Sequence, residues 1–295
     1  MQMKVLVTGA NGMFGIDLCN LLEASSHTVV RTDVGMREGL NIPDWLPLDI
    51  TDTSAVMAAI DSHKPDFVIH GAAATDVDGC ERNPDMAYRI NGLGTWNMAA
   101  ACGNRDIPIV YISTDFVFDG TKTEPYTEFD MPHPISHYGG SKLAGERFVT
   151  ELCRKRFIVR TAWLYGAHGN NFPKKILELA KTRTELPVVT DELGSPTHTL
   201  DLARTIISLL ESPLYGTYHV VNAGHCSRYE LAKKTLEIAG VSTMKINSMC
   251  ASQYSSPTKR PAYSVLRRYM LELQGKDNLP SWQDALKEFI GLLQI

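Results

Sequence analysis

The sequence predicts an α/β chain, a doubly wound parallel sheet followed by a smaller and less regular region. Three observations predict it. Short β-branched runs alternate with helical segments through the first half, the pattern that covers both faces of a parallel sheet with helices. A glycine-rich turn joins the first run to the first helical segment. After about Tyr165 the alternation gives way to loops rich in Gly, Asn and Pro.

Strands are expected at 5–8, 28–32, 67–70, 109–112 and 158–160, each a short apolar run bounded by turn residues. The stretch 53–63 reads as a helix, with Asp52 or Thr53 available as its cap. A longer helix is expected over 86–105, where Gly92 and Gly94 imply close packing against another backbone. Further helices are expected near 172–181, 200–210, 229–239 and 282–293, and a short strand at 217–221 is expected to return to the main sheet. The implied division is 1–165, with 197–222 returning to it, against 166–196 and 223–295. The chain carries no internal repeat and no low-complexity segment.

Composition narrows the function. At 295 residues, 44% hydrophobic and 21% charged, the chain has the make-up of an ordinary globular enzyme. A net charge of −4 provides no general positive field for nucleic acid or anionic lipid, so neither is expected as a partner. The basic run Arg154-Lys155-Arg156 falls at an expected helix end, where cations complement the dipole. The opening residues read as a first strand instead of a signal peptide, and no apolar window is long enough to span a bilayer. Six scattered cysteines without a CxxC pair point to buried reduced thiols, no metal site and a cytoplasmic setting.

The turn after the first strand reads Thr8-Gly9-Ala10-Asn11-Gly12-Met13-Phe14-Gly15. Glycines so spaced allow a tight turn, close approach of the backbone to a pyrophosphate and tight strand–helix packing, and the helix N-terminus adds oriented N–H donors. Its GxxGxxG spacing is that of short-chain dehydrogenases, so a nicotinamide dinucleotide is the expected cofactor. Asp33 closes the second strand where a carboxylate accepts hydrogen bonds from the adenosine ribose. Its charge opposes the 2′-phosphate of NADP and favours NAD(H), although Arg31 and Arg37 are close enough in sequence to offset it.

Tyr138-Gly139-Gly140-Ser141-Lys142 places a phenol and an ammonium at i and i+4, on one face of a helix. A nearby cation lowers the tyrosine pKa, so that the phenol exchanges a proton with a carbonyl near neutral pH. The pattern is common by chance. It gains weight from Ser113-Thr114-Asp115, a hydroxyl cluster ending the strand at 109–112, on the edge where doubly wound sheets bind ligands.

With these motifs in this order, the chain resembles the dTDP-4-dehydrorhamnose reductase family of extended short-chain dehydrogenases, over nearly its whole length. TGANGMFG, GAAATDVDGCERNPDMAYRINGLGT, YISTDFVFDG, YGGSKLAGE, VRTAWLYGAHGNNF and VVTDELGSPTHTLDLA carry the resemblance. It implies a Rossmann-type fold with a C-terminal substrate-binding region and NAD(P)H-dependent reduction of a 4-keto group, dTDP-4-dehydrorhamnose to dTDP-rhamnose. It implies that Tyr138 protonates the sugar C4 oxygen, that Thr114 hydrogen-bonds it, and that Lys142 holds the nicotinamide ribose. Ala72, Ala73, Ala74, Asn91 and Ser113 would line the cofactor groove. Asp49 and Ile50 would border the adenine, and Trp163 and Arg260 would face the sugar nucleotide.

The chain departs from that pattern in places. Tyr263 stands where the family usually has asparagine, which reshapes the expected sugar pocket. Leu200 stands where some relatives have an acid joining a magnesium-linked dimer, which argues against metal and that homodimer, although Asp17 is in place to act as another of its acids. Two other functions share the resemblance. Epimerases and dehydratases use the same loop and Tyr-Lys pair, but dehydratases follow Thr-Asp with a glutamate, and here Phe116 cannot move a proton. A regulatory subunit like the methionine adenosyltransferase β subunit is the other, disfavoured by the intact Thr114, Tyr138 and Lys142.

Overall fold

A computed structural model describes residues 2–36, 42, 44–253 and 255–293. β1 (Lys4–Thr8) turns into α1 (Met13–Ala24), followed by β2 (Thr28–Asp33), β3 (Trp45–Pro47), α2 (Thr53–His63) and β4 (Phe67–His70). Next come α3 (Val77–Arg82), α4 (Pro84–Ala87), a π-helical stretch over Tyr88–Gly94, α5 (Thr95–Gly103) and β5 (Ile109–Thr114). The first half closes with α6 (His137–Leu152) and β6 (Arg156–Thr161).

The second half is more broken. It holds β7 (Leu164–Tyr165), α7 (Phe172–Ala180), β8 (Glu185–Val189), β9 (Leu193–Gly194), β10 (Thr197–His198) and α8 (Thr199–Leu210). β11 (Gly216–His219), β12 (Cys226–Ser227), α9 (Arg228–Ile238), β13 (Lys245–Met249), α10 (Tyr269–Leu273) and α11 (Trp282–Leu292) complete it. None of the described helices is long and apolar enough to cross a membrane.

Seven strands form one parallel sheet in the order β11-β6-β5-β4-β1-β2-β3. Side chains alternate across it with the period of a strand. Val5 and Val7 face a core built with Leu18, Leu22, Leu202 and Ile206, while Leu6 and Val68 face one built with Val56, Ile60 and Met98. Both faces are thereby dry, which is why β4 is buried at every position. The strand order reverses between β1 and β4, where the helices that follow the two strands pack on opposite faces of the sheet, the switch point at which doubly wound sheets leave a crevice.

β11 pairs with β6, so the expected return strand does join the main sheet, ending at His219 instead of Val221. Asp52 is the cap of α2, accepting from the Ala55 N–H at 3.0 Å. The single helix expected over 86–105 is instead three segments, because the backbone widens into π-helix over Tyr88–Gly94. Gly92 and Gly94 lie in the widened turn. What Gly94 packs against is the Ile50 side chain and not a backbone: an added Cβ would lie 2.6 Å from Ile50 Cδ1. β3 and α3 were not expected, being too short for a periodic signal.

A buried ion pair fixes α6 to the sheet. Arg160 on β6 donates to both Glu146 oxygens, at 2.9 and 2.7 Å, and Ser113 on β5 donates to Oε1 at 2.6 Å. Arg160 and Glu146 are 5% and 4% exposed, so removing one partner leaves a charge without water or counterion. Glu146→Ala is expected to cost about 3–5 kcal/mol of folding stability, read from urea unfolding. A loss below about 1 kcal/mol, the range of an exposed pair, would show that this pair does not anchor the helix.

Candidate active site

A cleft of about 1000 Å³ runs along the carboxyl ends of the strands, from Asp33 at one end to Arg228 and Arg260 at the other. The glycine turn forms its floor. Gly9 has φ +72, and a Cβ there would sit 2.8 Å from the Ala72 nitrogen; a Cβ on Gly15 would sit 2.1 Å from the Gly9 oxygen. Any larger residue would push α1 off the turn. Gly12 caps α1 without a side-chain hydrogen bond, leaving the positive end of the helix open to an anion. Met13 and Phe14 line the cleft beside it.

Asp33 lines the cleft while accepting from the Asn11 and Val34 N–H groups at 2.9 and 2.7 Å. Asn11 donates its amide to the Gly35 oxygen at 2.8 Å, and its own Oδ1 is buried without a partner. Arg31 does not offset Asp33, contrary to the sequence expectation. It is 8% exposed and turned to Glu23 and Asn20, at 2.9 and 3.1 Å, because the helix side of β2 offers it a carboxylate. Arg37 lies outside the described residues.

Asp49, Ile50, Ala72 and Ala73 lie on the cleft wall, and the Asp49 carboxylate is engaged by Thr51 at 2.8 Å. Ala74 and Asn91 stand behind the wall. The Asn91 amide clasps the Ala74 backbone, receiving from its nitrogen at 2.8 Å and donating to its oxygen at 3.1 Å, and donates to Ser141 at 3.0 Å. Asn91 is therefore a strut between the β4 loop and α6.

Thr114, Tyr138 and Lys142 meet in the middle of the cleft, with Ser113 beside them. Ser136 caps α6 through the Gly139 N–H at 3.2 Å, which sets Tyr138 in the first turn and Lys142 one turn on. Burial pushes the Tyr138 phenol above its ordinary pKa, against the pull of the Thr114 hydroxyl, and the Asp115 charge pushes it further. The lowering expected from the neighbouring cation is not seen here: burial dominates, and Lys142 is not among the groups that pull the phenol down. Burial also brings Lys142 down to about 7, with Glu146 opposing.

Asp115 was not singled out beyond its hydroxyl cluster. It is 2% exposed, accepts from Ser264 at 2.6 Å and Thr114 at 3.1 Å, and burial raises its carboxyl to about 6. Ser264 thus ties the C-terminal segment to the end of β5. Phe116 lies edge-on to Tyr138, centroids 5.5 Å apart, on the cleft wall.

Trp163 lines the cleft with φ +46, a left-handed backbone costly for an aromatic residue, and only glycine at 194 leaves room for its indole. The Arg228 guanidinium lies 3.5 Å above that indole, and burial lowers Arg228 to about 10. Sequence reasoning missed Arg228. The Ser227–Glu230 capping box starts α9 with a cation in its first turn, against the helix dipole, and that mismatch was the available signal. Arg260 bonds Asp78 at 3.1 Å, and its Nε is buried without a partner. Tyr263 packs beside Val117, Tyr126 and Leu266, off the cleft wall.

Asp17 points inward to Thr199, with His168 Nε2 at 3.5 Å. Among the described residues no cluster of three or more His, Cys, Asp or Glu is placed to hold a metal.

Comparison with known proteins places this geometry. The family model described as RmlD substrate binding domain matches residues 3–295. The spore coat polysaccharide biosynthesis protein SpsK of Bacillus subtilis is 40% identical, covering 97% of this chain and 96% of its own. A crystal structure of a dTDP-4-dehydrorhamnose reductase from Clostridium acetobutylicum superposes with a TM-score of 0.93 at 46% identity, covering 99% of this chain and 100% of that one. The dTDP-4-dehydrorhamnose reductase of Bacillus anthracis, solved with NADP, gives 0.92 at 41% identity, covering 99% and 100%. With the match spanning sheet, cleft and C-terminal region alike, the chain belongs to the RmlD substrate binding domain family.

Proposed function

We propose that the chain reduces the 4-keto group of a dTDP-4-keto-6-deoxysugar with NAD(P)H, as in the step from dTDP-4-dehydrorhamnose to dTDP-rhamnose. The observation that carries the reading is the meeting of Thr114, Tyr138 and Lys142 midway between a dinucleotide turn and a cationic end. The turn fits a nicotinamide dinucleotide: Gly9 and Gly15 leave a cradle that a Cβ would fill, and the buried Asn11 Oδ1 lacks a partner. Gly9–Gly15 and the open end of α1 would hold the pyrophosphate, Asp33 the adenosine ribose, and Lys142 the nicotinamide ribose.

When bound, the reduced nicotinamide supplies a hydride to C4. Tyr138 supplies the proton to the C4 oxygen, a phenol being in its donor form at neutral pH. Thr114 shares the hydrogen bonding at that oxygen. Arg228 and Arg260 suit the nucleotide diphosphate, and Trp163 the sugar face. Phe116 bears no proton, which favours reduction over elimination. The two-part division made from the sequence goes with this reading: 1–165 with 197–222 for the dinucleotide, the rest for the sugar nucleotide. All six cysteines are free, five of them buried, which suits a reducing cytoplasm.

Asp33 with Arg31 turned away favours NADH. Asp33→Ala is expected to move the ratio of kcat/KM values towards NADPH; an unchanged ratio means Asp33 does not meet the ribose. Tyr138→Phe keeps the ring and loses the proton, so cofactor binding persists while turnover falls about 10²- to 10⁴-fold. Full turnover in this variant would remove Tyr138 from the chemistry. The decisive experiment supplies a dTDP-4-keto-6-deoxyhexose and follows absorbance of reduced nicotinamide: one NAD(P)H is oxidised per sugar consumed. Sugar conversion without cofactor loss would instead mark an epimerase, and no conversion a binding subunit.

A further inference from the structure

We propose that Tyr111 is a positioning residue for Lys142, and that the face of its ring, not its hydroxyl, is the seat that aims the ammonium into the cleft and keeps it charged. Lys142 is 3% exposed, and its Nζ lies 4.3 Å from the Tyr111 ring centroid. The acid that faces it, Glu146, is already shared between Arg160 and Ser113. A buried ammonium so placed depends on the negative face of an aromatic ring for compensation.

The ring is built to stay where it is. Tyr111 is fully buried, and its hydroxyl donates to the Lys142 main-chain oxygen at 3.2 Å. That approach requires Gly145, since a Cβ there would lie 2.3 Å from the hydroxyl. Tyr111 also stacks on His70, centroids 5.7 Å apart, and His70 is pinned by Thr8 at 2.7 Å and Thr95 at 3.1 Å. Burial holds His70 down to about 3, so it stays neutral and adds no repelling charge behind the ring. The titratable groups facing Lys142 are thus Tyr138 and Glu146 on its own helix, Tyr111 on β5, His70 on β4 and, through Glu146, Arg160 on β6.

Burial brings Lys142 to about 7, and a ring face that favours the cation holds it up against further fall. Replacing the ring by an aliphatic side chain lowers the Lys142 pKa, so the charge is lost at lower pH on the way up.

Competitive acetylation of the cofactor-free protein across pH, read at Lys142 by mass spectrometry, measures that pKa without relying on the reductase reading. Tyr111→Phe keeps the face and leaves the Lys142 titration in place; Tyr111→Leu lowers it by about one, a roughly tenfold loss of the charged form above neutrality. The high-pH limb of kcat/KM moves down with it in Leu and stays in Phe. Should Tyr111→Leu fail to fold, phenylalanines carrying increasing numbers of ring fluorines at 111 grade the face at nearly constant shape, and the pKa falls with each fluorine. An unshifted Lys142 in Leu or along the fluorinated series, or a Phe variant as shifted as Leu, overturns the proposal. A shift in labelling with no activity on any sugar would instead retain the seat and count against the reductase reading.

Discussion

The Glu146–Arg160 pair is the constraint on which the cleft rests. It lies inside the α6–β5–β6 contact, and it sets the rotation of α6 about its own axis. Tyr138 and Lys142 stand on the same helix two turns and one turn earlier, so that rotation decides whether they face the sheet edge or the solvent. Apolar packing alone would hold α6 against the sheet while tolerating small rolls. A two-toothed guanidinium–carboxylate contact, with Ser113 as a third point, has one geometry and so supplies the orientation.

The same network shapes the electrostatics. Because Glu146 is spoken for, the buried ammonium of Lys142 is only partly compensated, and it sits near the pH at which it would lose its proton. Tyr138 moves the other way, held protonated by burial and by the Asp115 carboxylate behind Thr114. Towards the far end, Arg228 and Arg260 add positive charge to the cleft wall, and the Ser264–Asp115 bond joins the C-terminal segment to the end of β5.

Of the described non-glycine residues with a left-handed backbone, Trp163 is the one that lines the cleft. Its left-handed backbone is stabilised on both sides of the indole, by the space at Gly194 and by the Arg228 guanidinium. Such an outlier persists only where surrounding contacts over-determine it, and here one of those contacts, Arg228, is itself a cleft wall.

The sequence by itself determined the parallel sheet, the glycine turn and the Tyr138–Lys142 pair, because each is written locally: short β-branched runs between helical segments, glycines before a helix, and i, i+4 on one helix face. A cap for α2 at Asp52 or Thr53, and the return of a strand near 217–221 to the sheet, were legible for the same reason. The split of the 86–105 helix, the turning away of Arg31, and the withdrawal of Ala74, Asn91 and Tyr263 from the cleft wall were not. Nor were Arg228 above Trp163 and the closing of Ser264 onto Asp115, pairs 65 and 149 residues apart in the chain. Tertiary structure decided these, since the direction a long side chain takes depends on which distant carboxylate, ring or glycine the fold brings beside it, and local spacing carries no record of that neighbour.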